Sequence, residues 1–188
     1  MKKFELTSEF VTFLGKKLFR IKALVSFGDV AEGELGGFIE KENNLDQSGN
    51  AWVYGDARVY GNAWVYGNAR VYGDARVYGD AWVSGNARVY GDAQVYGDAW
   101  VSGNARVYGD ARVQCCRDYS AASCFGSENR TTTFFRTKDN GISVRCGCFY
   151  GTLEEFREKV KERHGDSRLA KEYLMLADLM EFRLSKDE

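Results

Sequence analysis

The chain has one histidine, His164, and it is the only imidazole available for acid–base chemistry. It stands directly before Gly165, near the end of a predicted helix, where a cationic imidazole interacts favourably with the helix dipole. We therefore interpret His164 first as a helix cap. The sequence predicts no catalytic residue, with His164 as the one candidate, and it favours a binding protein over an enzyme.

Cysteines are the next candidates, because thiolates bind metals and act as nucleophiles. There are five: Cys115, Cys116, Cys124, Cys146 and Cys148. No CxxC spacing or pair of histidines completes a zinc site, and an odd number favours reduced thiols. Cys146 and Cys148 lie two apart in one predicted strand and so on one face. We expect buried free thiols, no metal and no cofactor.

Arginine and tyrosine recur at a spacing of 18 residues and suit an anionic ligand. The recurring residues are Arg70, Arg88 and Arg106 with Tyr72, Tyr90 and Tyr108. The corner residues beside these arginines are Asn, so no carboxylate neutralises them within their own repeats. Because guanidinium binds phosphate and a phenol ring stacks on a base, these six residues predict a site for a small nucleotide.

A second basic set surrounds a predicted hairpin turn in the C-terminal part. It consists of Arg130, Arg136 and Lys138, with Arg145 nearby. The set predicts a further anion site; a solvated basic turn is the alternative.

Tryptophans form a third recurring set, made of Trp64, Trp82 and Trp100 with Asp80 and Asp98 beside them. A flat aromatic strip is seldom left bare on a soluble monomer, so the set predicts an interface. We expect it to meet the arginine and tyrosine side of another subunit through cation–π contacts, giving a homo-oligomer, by analogy a trimer. The alternative is that the stacked rings stabilise the fold itself.

A repeat positions these columns. Eleven hexads of the form Gly-(Asn/Asp)-Ala-(Arg/Trp/Gln)-Val-(Tyr/Ser) run without insertion from Gly49 to Gln114, the last ending in Gln. Side chains alternate faces in a strand, so Ala and Val point inward. Residue types recur every 18 residues, which predicts three hexads per coil and a three-sided parallel β-helix. Its second side pairs Arg58, Arg76 and Arg112 with Asp residues, which predicts an interleaved ion ladder.

The chain then divides into three predicted parts. Residues 1–36 form a β-hairpin cap, residues 37–114 the β-helix, and residues 115–188 a C-terminal ββαα domain. Two ragged hexads begin the β-helix, with Ile39 and Leu45 in register with the inward Ala column. In the C-terminal domain an Asn-Gly turn at Asn140 joins two strands, and Thr152 opens a capping box for the first helix.

Charge and hydropathy limit the partners. The net charge is −1, from 26 basic and 27 acidic residues, so no global field attracts long nucleic acid or an anionic membrane. Glu5 and Glu9 interrupt any apolar signal core, and no run approaches a membrane span. We predict a cytoplasmic protein with no membrane partner.

The hexad, with aliphatic Val53 followed four positions later by small Ala57, resembles that of the hexapeptide-repeat proteins. The resemblance implies a mainly β fold built on a left-handed parallel β-helix. Many proteins with this rod are acyltransferases, so an acyltransferase-like enzyme using His164 is one alternative function.

The order of the parts is similar to that of uncharacterised proteins of bacterial prophages. The similarity rests on the cap, Gly36-Gly-Phe-Ile-Glu-Lys, the hexads, Thr131-Thr-Thr-Phe-Phe-Arg and Cys146-Gly-Cys-Phe. It implies a phage protein acting in the host cytoplasm, in counter-defence, by binding a host defence protein or sequestering a nucleotide signal. A structural phage component is the remaining alternative.

Overall fold

The computed structural model describes residues 2–185, and its centre is a parallel β-solenoid. Eleven two-residue strands follow one another at six-residue intervals. They are β4 (Trp52–Val53), β5 (Arg58–Val59), β6 (Trp64–Val65), β7 (Arg70–Val71), β8 (Arg76–Val77), β9 (Trp82–Val83), β10 (Arg88–Val89), β11 (Gln94–Val95), β12 (Trp100–Val101), β13 (Arg106–Val107) and β14 (Arg112–Val113). Each strand pairs in parallel with the strand three positions away, which confirms three hexads per coil.

The solenoid has three sides, which we number by the hexad that opens each. The first side is β4, β7, β10 and β13; the third is β6, β9 and β12; the second, with β5, β8, β11 and β14, belongs to a larger sheet. The Ala and Val of every hexad are buried inside, as predicted. Each buried Val contributes about 1.5 kcal/mol, so many small and nearly equal terms stabilise the rod.

The N-terminal cap is a hairpin of β1 (Phe4–Phe13) and β2 (Lys16–Ala23), as expected. Strand β3 (Leu35–Ile39) pairs antiparallel with β2 and parallel with β5, so the cap and the second side form one seven-stranded sheet. The predicted division after residue 36 falls inside β3.

The register predicted for the entry coil is wrong by two residues. Ile39 and Leu45 pair with Val59 and Val65, not with the Ala column. The deep Val position takes a large aliphatic side chain, and the two extra residues lie between Leu45 and β4. A short 3-10 helix, Glu42–Asn44, precedes this segment, and the buried Asn44 amide donates to the carbonyls of Gly61 and Ala63.

The C-terminal unit begins with an antiparallel sheet of four strands, whereas the sequence analysis identified two. The strands are β15 (Tyr119–Phe125), β16 (Arg130–Arg136), β17 (Ile142–Cys146) and β18 (Phe149–Thr152). Gly147, at φ 58°, turns the chain between β17 and β18. The expectation that Cys146 and Cys148 share one strand face is therefore wrong, because the turn separates them.

Two helices complete the unit. Helix α1 (Leu153–His164) begins with the predicted capping box of Thr152 and Glu155, and α2 (Arg168–Leu184) is capped by Ser167. Neither helix within residues 2–185 has the length and apolar character that a membrane crossing requires.

Successive residues of β16 connect the solenoid to the helices. Phe135 is buried in the solenoid core and covers its last coil, whereas Phe134 points the other way and packs against Phe156 of α1. The backbone N–H of Arg106 donates to Thr133 Oγ1 at 3.0 Å, and Tyr119 Oη donates to the Trp100 carbonyl at 2.7 Å. The C-terminal sheet is thus bonded directly to the end of the rod.

The ion ladder predicted for the second side does not form within the described residues. The guanidinium carbons of Arg58 and Arg76 lie 4.6 and 5.0 Å from the centroid of the Phe13 ring. Arg112 donates instead to the carbonyls of Asp92, Asp110 and Ala111. The hairpin cap overlies this side and supplies Phe13, a contact that no property of the hexads could indicate.

Candidate anion-binding groove

Arginines stack without neutralisation on the first side of the rod. Arg88 is the direct strand partner of both Arg70 and Arg106. Like charges placed opposite each other on neighbouring strands repel. Arg70 is relieved by Asp29, whose Oδ2 lies 2.7 Å from Arg70 Nη1. No ion pair anywhere in residues 2–185 involves Arg88 or Arg106.

The C-terminal sheet brings two more arginines to the same place. Arg130 and Arg145 line one hollow together with Arg88 and Arg106, so residues from the two predicted anion sites line a single hollow. Arg145 Nη1 donates to the carbonyls of Cys148 and Phe149 at 3.1 and 3.2 Å, which fixes the guanidinium. Its Nε is buried and has no hydrogen-bond partner in the described part of the chain. We call this hollow, lined by Arg88, Arg106, Arg130 and Arg145, the arginine groove.

The groove is large enough for a small molecule, and four of its ten lining residues are arginines. Its volume is about 590 Å³, within the usual range for ligand sites. The other lining residues are Asn86, Asn104, Asn129, Thr131, Gly147 and Cys148, so no acidic residue of residues 2–185 lines it. Arg130 has an acidic neighbour outside the groove lining, Glu128, whose carboxylate lies 3.3 Å from Arg130 Nη2 at an exposed position. Exposed pairs of this kind contribute little, so Arg130 stays available.

One edge of the arginine groove is a ladder of asparagine amides. Asn50 donates to Asn68, Asn68 to Asn86, and Asn86 to Asn104, at 3.1, 3.2 and 3.1 Å. The ladder continues toward the cap into a smaller hollow of about 310 Å³, which Arg70 and Arg88 line. The neutral corner column noted in the sequence is thus a rigid, uncharged wall.

The predicted tyrosines form a continuous file beside the arginines. Tyr72 and Tyr90 stack with centroids 4.8 Å apart, Tyr90 and Tyr108 are 4.4 Å apart, and Tyr54 extends the file at one end. Burial raises the pKa of Tyr72, and the neighbouring Tyr90 raises it further, against the effect of Arg88 and Arg106. Because these rings contact one another along the rod, they form a continuous wall beside the arginines, and their stacking on a base stays a prediction.

Two residues predicted for the basic hairpin lie elsewhere. Arg136 donates to the Leu184 and Ser185 carbonyls and lies 3.5 Å from Asp118, so it fastens the end of α2 to the sheet. Lys138 is exposed in the turn that joins β16 and β17. Neither lines the arginine groove, because Arg136 and Lys138 stand at the far end of β16 from Arg130.

The predicted tryptophan surface is on the third side and is partly exposed. Trp82 and Trp100 are 43% and 50% exposed, and they share a hollow with Asp80 and Asp98. The rings meet edge to face, with planes at 86° between Trp64 and Trp82 and 69° between Trp82 and Trp100, so the expected flat strip is wrong. The contacts support the ladder, and the exposure leaves an apolar surface.

His164 ends α1, as expected for a cap, and its ring stacks on Tyr173 with centroids 5.7 Å apart. The cysteines are free, but the expectation that they are buried is wrong, since Cys116, Cys124 and Cys148 are exposed. Among residues 2–185 no group of three or more His, Cys, Asp and Glu side chains is arranged to hold a metal ion.

The sequence analysis missed one surface entirely. Met175, Leu179 and Phe182 are 72%, 57% and 85% exposed and lie along the outer face of α2. Their spacing of four and three residues is a helical stripe that a search for a second apolar face would have found.

A comparison with known protein families gives matches only within the rod. These matches and the observed coils together define the class of the protein, which is a β-helix repeat protein. Residues 51–67, 69–85, 81–97 and 93–107 match the family model described as the YdcK beta solenoid repeat. No curated protein matches the chain.

Proposed function

We propose that the protein is a non-enzymatic binding protein that holds a small phosphate-bearing anion in the arginine groove. The observation that carries the proposal is the stack of Arg88 and Arg106 facing Arg130 and Arg145 with no carboxylate between them. Arg58, Arg76 and Arg112 occupy the same hexad position on the second side, yet each is used by an aromatic ring or by carbonyls. Of the first-side arginines, Arg70 pairs with Asp29, whereas Arg88 and Arg106 form no ion pair within residues 2–185.

A phosphate group suits the groove for physical reasons. Guanidinium groups bind phosphate oxygens through paired, charge-assisted hydrogen bonds. Each such bond contributes about 1.5–3 kcal/mol, which is roughly a tenfold to hundredfold change in affinity. An anion would also relieve the repulsion between stacked arginines. The near-zero net charge means that this attraction is local to the groove.

The test is calorimetric titration of the full chain with pyrophosphate at low ionic strength. Arg88→Gln is the informative variant, because Gln94 already stands at the same hexad position and shows that the rod accepts glutamine there. We expect at least a tenfold loss of affinity on the scale given above. Arg145→Gln should give a comparable loss.

Arg76→Gln is the matched control. It removes the same charge from the same hexad position on the second side, outside the groove. Affinity close to that of the wild type is expected for this variant. Absence of pyrophosphate binding by the wild type, or an equal loss in Arg76→Gln, would overturn the proposal.

The biological setting that we propose follows the resemblance to prophage proteins. Sequestration of a host nucleotide signal in the host cytoplasm fits a groove for phosphate. His164 is the last residue of α1 and stacks on Tyr173, and it does not line the arginine groove. Lack of acetyl transfer from acetyl-CoA by the wild type is the expected result.

Self-association through the tryptophan surface is a second proposal, supported by the exposure of Trp82 and Trp100 beside Asp80 and Asp98. Light scattering should report a homo-oligomer, for which a trimer is favoured, that dissociates in the double variant Trp82→Ala, Trp100→Ala. The double variant Leu179→Ser, Phe182→Ser on α2 is the matched comparison. If only the α2 variant dissociates, the interface lies on α2 and not on the tryptophan surface. A monomeric wild type would refute self-association.

A further inference from the structure

A cavity of about 480 Å³ lies between the C-terminal sheet and α1, next to the arginine groove. Four aromatic rings follow one another in its lining: Phe149, Phe156, Tyr173 and His164. Successive centroids are 5.6, 5.8 and 5.7 Å apart. We call this space the ring cavity. Phe156 and Tyr173 are buried behind it, whereas Phe149 and His164 are half-buried and present surface to it.

The ring cavity and the arginine groove meet. Arg130, Gly147 and Cys148 line both. The turn at Gly147 separates the two spaces, with Arg145 on the groove side and Phe149 on the cavity side. One molecule with a charged end and a flat apolar end therefore has a place for each.

We infer that the ligand is a nucleotide whose phosphates lie in the arginine groove and whose base enters the ring cavity. This inference rests on the proposed function and adds the class of the ligand. Stacking on aromatic side chains accepts any base, because each base has a π face. Ser127 and Glu128 at the edge of the cavity offer hydroxyl and carboxylate oxygens to a sugar or an amino group.

The lining separates this ligand from a simple apolar chain. A hydrocarbon tail gains nothing from Lys159, Arg163 and Glu128, which also line the cavity and would be desolvated by it. A base with exocyclic polar groups satisfies such side chains and still stacks on the rings. The apolar floor and polar edge together favour a base over an acyl group.

The experiment compares three probes that share a diphosphate: pyrophosphate, ADP and geranyl pyrophosphate, each titrated against the full chain. ADP should bind about tenfold tighter than pyrophosphate, within the range seen for stacking of one base. Phe149→Leu keeps the apolar volume and removes a ring, so ADP affinity should fall to that of pyrophosphate while pyrophosphate affinity stays unchanged. His164→Leu is the second variant, and Phe125→Leu, an exposed ring outside the cavity, is the control.

The outcomes separate the two proposals. If pyrophosphate and ADP both fail to bind, the proposed function fails. If pyrophosphate binds and ADP binds no tighter, or if neither Phe149→Leu nor His164→Leu lowers ADP affinity, the arginine groove stands and the nucleotide inference is overturned. Geranyl pyrophosphate binding as tightly as ADP would also overturn it, because the cavity would then select for apolar bulk.

Discussion

The rings of Tyr108 and Tyr150 meet edge to face with centroids 4.6 Å apart. Tyr108 ends the tyrosine file of the rod, and Tyr150 lies in β18 of the C-terminal sheet. Tyr150 is also the direct strand partner of Arg145. This contact is therefore one of those that hold Arg145 at a fixed distance from the rod arginines.

Replacing Tyr150 by Ala should weaken both stability and binding. Loss of the ring contact should lower the free energy of unfolding by about 1–2 kcal/mol, since an aromatic pair contributes up to about 1.5 kcal/mol beyond its buried area. Pyrophosphate affinity should fall severalfold, because Arg145 loses its support. Urea unfolding and calorimetry measure the two effects. Tyr150→Phe keeps the ring and should leave the free energy of unfolding and the pyrophosphate affinity near their wild-type values. Equal losses in Tyr150→Phe and Tyr150→Ala would refute the role of the ring.

Trp52 and Trp82 occupy the same hexad position in different surroundings. Trp52 is fully buried beneath the cap, where Phe4 and Phe27 contact its ring edge to face at 6.1 and 5.3 Å. Trp52→Ala should lower the free energy of unfolding by about 3–5 kcal/mol, and Trp82→Ala by about 1 kcal/mol or less. Urea unfolding of the two variants side by side measures the difference. Similar losses would mean that the cap does not cover Trp52.

Corner glycines differ in how closely the next coil approaches them. Gly55 and Gly85 both have positive φ, 58° and 63°. A Cβ on Gly55 would meet nothing within 4 Å, whereas one on Gly85 would lie 3.0 Å from the backbone nitrogen of Gly103. Gly55→Ala should cost about 1 kcal/mol for the left-handed backbone alone. Gly85→Ala should lower the free energy of unfolding by at least about 1 kcal/mol more than Gly55→Ala does, because the neighbouring coils must move apart to make room for the Cβ. Thermal unfolding with equal losses in the two variants would contradict the stacking of corners.

Alkaline pH should destabilise the fold through its buried tyrosines. Burial raises the pKa of Tyr54 and Tyr60 to about 12. Below the unfolded pKa of about 10 the stabilising contribution of these protonated phenols is fully present, and it is lost as pH rises toward 12. Unfolding measured over this range should show stability falling, with tyrosinate absorbance appearing late. Tyr60→Phe should reduce this loss of stability with rising pH. If the variant loses stability as steeply as the wild type, other groups cause the loss.

Lys3 should make the stability of the fold rise with pH, over a lower pH range than the one in which the tyrosines make it fall. Burial lowers its pKa to about 8, although its Nζ donates to the Ser48 and Ala51 carbonyls. Between about pH 8 and 10.5 the unfolded chain holds a proton that the folded chain releases, so this residue makes stability rise with pH. Lys3→Met should flatten the rise in urea unfolding data.

The solenoid was predictable because one local rule sets every coil. Each hexad places the same small Ala and branched Val inward, as Ala57 and Val59 do, so period, burial and side assignment follow from the residues. The register of the entry coil was missed because Lys41 and Gln47 obscure where the two extra residues lie. The hand of the superhelix stays a prediction from the resemblance.

The arginine groove was only half predictable. Arg88 and Arg106 stood out by spacing and by their neutral corner residues. Arg130 and Arg145 lie beside them only because Phe135 packs the C-terminal sheet against the last coil. That contact joins segments distant in sequence, and no local sequence pattern predicts it. For the same reason the sequence could not show that Arg130 lines the groove whereas Arg136 binds the end of α2.

The most direct measurement is a crystal structure of the protein grown with 8-bromo-ADP, with anomalous data recorded at the bromine edge. The account predicts diphosphate density among Arg88, Arg106, Arg130 and Arg145, and a bromine peak in the ring cavity beside Phe149. Diphosphate density away from these four arginines, for example against the tryptophan surface, would contradict it.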